Sequence, residues 1–204
     1  MSSAERLRLS SRSLHICIDM QRLFSTDGPW PTPWMERVLP TCAELTAHAR
    51  ERTIFTRFIP PPTPDSAQGA WRGYYRHWRE TTRDRLDPRL LDLMPELAAF
   101  VPPALVYDKP VYSAFGGHKL VSLLRERKVD TLVVSGAETD VCVLSTILAA
   151  IDLGFFIVVA RDAVCSSSDA GHDALITMFE LRFAHQLAIA EAEEILRAWP
   201  RNTD

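Results

Sequence analysis

Thr131-Leu132-Val133-Val134-Ser135-Gly136-Ala137-Glu138-Thr139-Asp140-Val141-Cys142 passes from an apolar, β-branched run through a short turn into a stretch with helical spacing up to Leu153. A continuous apolar run bounded by turn residues is the pattern of a strand buried on both faces. The helix directly after it makes the pair half of a βαβ unit. The same alternation extends in both directions. Leu14–Ile18 is an apolar run ending at Asp19, and residues 34–50 have helical periodicity. Thr53–Ile59 is a second strand, stopped by Pro60-Pro61-Pro62-Thr63-Pro64. Residues 104–108 form a third strand and 118–128 a helix. Phe155–Ala160 is the fifth strand, 169–182 a helix, 186–190 a sixth strand and 191–199 a last helix. Strands alternating with helices predict a three-layer α/β/α domain on a mainly parallel, Rossmann-like sheet of about six strands.

Residues 13–204 suit one domain, and 1–12, with Arg6, Arg8 and Arg12 among serines, read as a flexible N-terminal arm. With 23 Lys and Arg against 26 Asp and Glu, the net charge is -3 and no basic face forms. Nucleic acid and anionic membranes are therefore not expected as partners. No apolar run reaches the roughly 18 residues that a membrane span needs. The four cysteines show no CxxC pair, which suits reduced thiols in a cytoplasm. No GxGxxG or Walker loop is present, and no cofactor is expected.

Strand C-termini line one edge of a parallel sheet, and ligands bind along that edge. Asp19, Asp108-Lys109, Gly136-Ala137-Glu138 and Arg161-Asp162 are all expected there. Thr139 is a natural N-cap, which puts Cys142 in a first helical turn, where the helix's partial positive charge lowers a thiol's pKa. Each of Asp19, Lys109 and Cys142 taken alone has a bland reading, as a turn residue, a solvated lysine and a core thiol. Together they place an acid, a cation and a thiol on one edge. Glu138 and Asp140 are expected to oppose the thiolate. Cys17, Cys42 and Cys165 are read as core, and the histidines as structural.

Asp19-Met20-Gln21 with Phe24, Lys109 with Tyr112-Ser113-Ala114-Phe115, and Gly136 with Thr139-Asp140-Val141-Cys142-Val143 and Thr146 resemble, in order, the isochorismatase-like cysteine hydrolases. These include nicotinamidases, N-carbamoylsarcosine amidases and biuret hydrolases. The resemblance implies an Asp19–Lys109–Cys142 triad and a cis peptide between Ala137 and Glu138. It also implies an oxyanion hole from the backbone N–H groups of Glu138 and Cys142. The implied reaction is hydrolysis of a small amide, ureido or carbamoyl compound through a Cys142 thioester, by a homo-oligomer. Two rivals stay open: ether hydrolysis of the isochorismatase type, and a catalytically silent binding protein.

The resemblance departs at the metal. Nicotinamidases carry Asp and His ligands after the second strand, where this chain has Thr56-Arg57-Phe58-Ile59, so no metal is expected. Trp71, Tyr74, Tyr75 and Trp78 lie on one helical face, whose default is packing on the core or on another subunit. Gln21, Phe24, Arg57, Trp71, Trp78, Tyr112 and Phe115 are the candidate substrate contacts, with Arg57 pairing a substrate carboxylate or, equally, a protein one.

Overall fold

The computed structural model describes residues 6–200. Six strands form one parallel sheet: β1 (Ser13–Ile18), β2 (Thr53–Phe58), β3 (Leu105–Lys109), β4 (Thr131–Ala137), β5 (Phe156–Cys165) and β6 (Leu187–Ala190), in the order β3-β2-β1-β4-β5-β6. The helices are α1 (Met35–His48), α2 (Ala70–His77), α3 (Pro95–Ala98), α4 (His118–Glu126), α5 (Leu144–Asp152), α6 (Asp169–Arg182) and α7 (Ala192–Ala198).

Successive strand residues point to opposite faces, and each face has its own core. Cys17, Phe55, Val133 and Val158 pack with Val38, Leu39 and Leu45 of α1 and Ile195 of α7. Leu14, Ile16, Leu132, Val134, Ile157 and Val159 pack with α4, α5 and α6 through Leu120, Leu124, Ile147 and Phe179. This is the expected three-layer arrangement. The strand order reverses between β1 and β4, whose C-terminal ends open the crevice where doubly wound sheets bind ligands.

Two expectations change. The arm expected over residues 1–12 is part of the fold from residue 6 onward, because Leu7 and Leu9 are buried in the core beneath α7 and Arg8 lies 4.4 Å over the Phe156 ring. Residues 1–5 lie outside the described residues. The fifth strand runs on to Cys165, after a register shift against β4 between Val134 and Gly136. Arg161 and Asp162 therefore lie within β5, not at its end. Arg161 pairs with Glu180, and Asp162 accepts from the Ala192 N–H at the start of α7. The long connection 60–103 holds α2, which carries the helical aromatic face expected there, and the short α3.

Gly136 makes the crowded centre possible. Its φ is +106°, and a Cβ there would sit 2.1 Å from the Ile18 carbonyl oxygen. Only glycine allows β1 and β4 to approach this closely just before their functional ends.

His15, fully buried in β1, is hydrogen-bonded with Ser135 through Nε2 (2.7 Å) and with Thr53 through Nδ1 (3.3 Å). Burial lowers its pKa from 6.5 to about 3, so the folded protein holds it neutral. A depressed folded pKa contributes stability that is present above pH 6.5 and lost as pH falls toward 3. Between pH 6.5 and 5, mostly above the carboxylate titrations, this amounts to about 2 kcal/mol. Urea unfolding across that window should show the loss in the wild-type protein and a clearly shallower slope in His15→Asn. Identical slopes would mean that His15 is not the group responsible.

Candidate active site

Asp19 leaves β1 with a φ of +50°, a left-handed conformation that is uncommon outside glycine, Asn and Asp. Its backbone N–H bonds to the Thr56 carbonyl, and the Thr56 hydroxyl donates to Oδ1 at 2.6 Å. These contacts hold a strained turn in place at the end of β1. Oδ2 lies 2.6 Å from Nζ of Lys109, and both side chains are at most 2% exposed. Lys109 ends β3, two strands from β1, so its ammonium reaches Asp19 across the end of β2. There it lies 5.2 Å from the Phe58 ring centroid and donates to the Val111 carbonyl at 3.1 Å. Only a long side chain spans that distance.

Cys142 comes from the other side of the switch point. The turn after β4 is a π-helical segment, Thr139–Val143, that continues into α5. Its N-cap is Glu138, without a side-chain cap, and the Ala137–Glu138 peptide is cis. Thr139 is not the N-cap: its hydroxyl is hydrogen-bonded with His172 Nδ1 at 2.9 Å. Asp19 and Lys109 both lie close enough to Cys142 to perturb its ionisation, the carboxylate raising the thiol's pKa and the ammonium lowering it, so the three groups converge.

The electrostatics correct the expected thiolate. Burial first, and then the Asp19 carboxylate, push the Cys142 pKa well above the ordinary thiol range, and Lys109 only partly opposes them. The resting group is a thiol. For Lys109, burial pulls the pKa down, but Asp19 and Cys142 outweigh it and the ammonium is held. Glu138 and Asp140 are not what raises the thiol's pKa. Glu138 accepts from the Ser167 hydroxyl (2.7 Å) and backbone N–H (3.3 Å), and Asp140 from the Ser166 hydroxyl (2.6 Å).

Cys142 faces a pocket of about 360 Å³ lined by Phe24, Pro29, Trp30, Pro31, Phe58, Tyr74, Trp78, Tyr112, Glu138, Val141 and Ser167. Of the candidate contacts, Phe24, Trp78 and Tyr112 line it and four do not. Gln21 is fully buried and spends its amide on the backbone, accepting from Phe58 N–H at 2.6 Å and donating to the Phe58 and Leu91 carbonyls. It positions Phe58. Arg57 forms a two-bond pair with Asp108 (2.7 and 2.9 Å), its register neighbour on β3, so the protein-carboxylate alternative holds and it does not serve as a substrate anchor. Trp71 stacks behind the wall, 4.8 Å from Tyr112 and 5.3 Å from Tyr74. Phe115 stacks with Phe155 and does not line the pocket.

The sequence reading missed Trp30, Tyr74, Val141 and Ser167. Trp30 lies between Pro29 and Pro31 in the loop after β1. An aromatic held in an irregular loop at the ligand-binding edge was the available signal. Tyr74 was seen as part of the aromatic stripe but not assigned to the pocket.

Among the described residues no group of three His, Cys, Asp or Glu could hold an ion. His77 is exposed and packs edge-on against Trp78, and Asp65 pairs with Arg76.

Residues 13–191 match the Isochorismatase domain family. The chain belongs to the isochorismatase family. An isochorismatase family protein of Bacillus subtilis, PncA, is 39% identical over 87 residues, which span 43% of this chain and 48% of that relative. The chain thus aligns with about half of that relative's length. Maleamate amidohydrolase of Pseudomonas putida is 24% identical over 199 residues, 95% of this chain and 91% of the relative. Among solved structures, a cysteine hydrolase from Pseudomonas syringae superposes with a TM-score of 0.77 at 22% identity, covering 92% of both chains, and supports the fold.

The opposing effects of Asp19 and Lys109 on the thiol can be measured separately. At pH 8, iodoacetamide should alkylate Cys142 severalfold faster in Asp19→Asn than in wild type, because the carboxylate that holds the proton on sulfur is gone. Lys109→Ala should be slower than wild type. Peptide mapping after timed quenching reads both, and changes of the same sign in the two variants would contradict the arrangement.

Proposed function

We propose that this isochorismatase-family protein hydrolyses the C–N bond of a small carboxamide or related compound through a Cys142 thioester. The convergence of Cys142, which lines the pocket, with the buried Asp19–Lys109 pair carries this reading. The amidohydrolase name of the full-length Pseudomonas putida relative supports it.

In this reading the resting thiol is the starting state. Substrate brings its carbonyl carbon to Sγ, and Asp19 accepts the thiol proton as the C–S bond forms. The high pKa of the buried thiol keeps the free protein unreactive. The carbonyl π electrons move to oxygen, where the N–H groups of Glu138 and Cys142 are proposed to bind the oxyanion. The C–N bond then breaks, and Asp19 returns the proton to the departing nitrogen. Water, losing a proton to Asp19, attacks the thioester. The acid leaves and sulfur recovers its proton. Lys109 stays protonated throughout and keeps the combined charge of carboxylate and sulfur tolerable in a dry site. Thr56 holds Oδ1, which leaves Oδ2 to face Lys109 and the thiol.

Ammonia release across amides, ureides and carbamoyl compounds tests the reading. Wild type should turn over at least one class. Cys142→Ala should lose at least about 10³-fold, and Cys142→Ser nearly as much, since Asp19 is a poor base for an alcohol. Intact mass during turnover of a slow substrate should show an acyl adduct on wild type only. Undiminished hydrolysis by Cys142→Ala would remove the covalent route, and ether cleavage surviving that change would favour isochorismatase-type chemistry.

A further inference from the structure

The pocket above Cys142 carries a charge that the reaction does not use. No lysine, arginine or histidine lines it, and Arg57 is spent on Asp108. The Glu138 side chain does line it. Its carboxylate is held by hydroxyl and amide donors, from Ser167 and from Thr32 at 3.4 Å, with no cationic partner among the described residues. Neutral donors orient a carboxylate but leave its charge in place. Burial, and then Tyr112 and Cys142, raise the pKa of the Tyr74 hydroxyl, and the Glu138 carboxylate adds the smallest part. The facing walls are aromatic. Trp30 sits at their centre, with ring centroids 6.0 Å from Phe24, 6.2 Å from Tyr74 and 6.0 Å edge-on from Trp78.

Aromatic rings around a carboxylate with no cationic partner form surroundings that attract organic cations, the rings through their quadrupoles and the carboxylate through Coulomb attraction. The same surroundings disfavour an anion, because no basic side chain lines the pocket beside Glu138 and the Lys109 ammonium near Cys142 is already paired with Asp19. We propose that the pocket selects a cationic small amide, with a quaternary or protonated nitrogen seated among Trp30, Tyr74 and Trp78 and facing Glu138. This rests on the hydrolase reading for the amide end of the substrate; the cation end stands on the pocket alone. It sets the chain apart from its maleamate-hydrolysing relative, whose substrate carries a carboxylate. It also assigns Glu138 a specificity role through its side chain, separate from the backbone N–H proposed for the oxyanion.

The test uses Cys142→Ala, which keeps the pocket and removes turnover. Three probes share one ring and differ in charge: 1-methylnicotinamide (cation), nicotinamide (neutral) and nicotinate (anion). Calorimetry, with tryptophan fluorescence as a second reading, should give the cation a dissociation constant at least tenfold below the neutral probe, and the anion the weakest. Adding Glu138→Gln should erase most of that ratio. Trp78→Leu, at a half-exposed position that carries little folding risk, should reduce it severalfold. Equal affinity for cation and neutral probe, tighter binding of the anion, a ratio unchanged by both substitutions, or no cation binding at 10 mM would each overturn the proposal. Cation preference without ammonia release from any amide by wild type would instead sink the hydrolase reading and leave the pocket assignment standing. Hydrolysis without charge preference would do the reverse.

Discussion

The buried ion pair between Asp19 and Lys109 is the contact around which the active edge is organised. Two charges that are at most 2% exposed cost several kcal/mol each to desolvate, and removing either alone would strand the other at a cost of about 3–5 kcal/mol. The surroundings answer that cost group by group. Thr56 takes one carboxylate oxygen, Val111 takes an ammonium proton, and the Phe58 ring lies against the cation. Phe58 is in turn fixed by Gln21, which clamps both its N–H and its carbonyl. A residue that read as a substrate contact is thus one layer further out, holding the ring that supports the lysine.

Strand order makes the pair meet the thiol. β1 and β4 are adjacent only because the chain first winds outward through β2 and β3, then returns to the centre and winds the other way. Gly136 lets the two central strands close to a distance that a side chain would forbid. Asp19 and the turn bearing Cys142 therefore emerge side by side, and Lys109 crosses from the sheet's edge. The resulting balance favours the thiol form of Cys142. A buried thiol beside a carboxylate is protected from stray electrophiles, and Lys109 keeps the cost of charging it within reach.

Three stretches that supply pocket walls are the loop after β1, the aromatic face of α2 and the serine loop after β5, and Phe58, Tyr112 and the turn bearing Cys142 complete the lining. Trp30 joins the first two through its contacts with Phe24, Tyr74 and Trp78. Ser166 and Ser167 tie the third to the turn carrying Cys142, through Asp140 and Glu138. The two carboxylates flanking the cysteine in sequence therefore serve as anchors for a neighbouring loop. One of them, Glu138, also lines the pocket.

By itself the sequence determined the layers, the parallel sheet and the three residues at its active edge. Those follow from local signals, namely unbroken apolar runs, helical spacing and chemistry-bearing residues at strand ends, all of which act over a few positions. Tertiary structure decided what depends on distant partners. Arg57 was legible as a fork near the edge, but its pairing needed the β2–β3 register that sets Asp108 beside it. Phe115 and Trp71 were legible as aromatics near the motif, yet which side of the sheet or which ring each meets is a matter of packing. Cys142's charge state could not be read from its place at a helix start, because burial and the approach of Asp19 outweigh the local helix field. Spacing along the chain reports which face a residue occupies; only the folded chain sets what stands opposite it, and for charged and aromatic groups that neighbour determines the role.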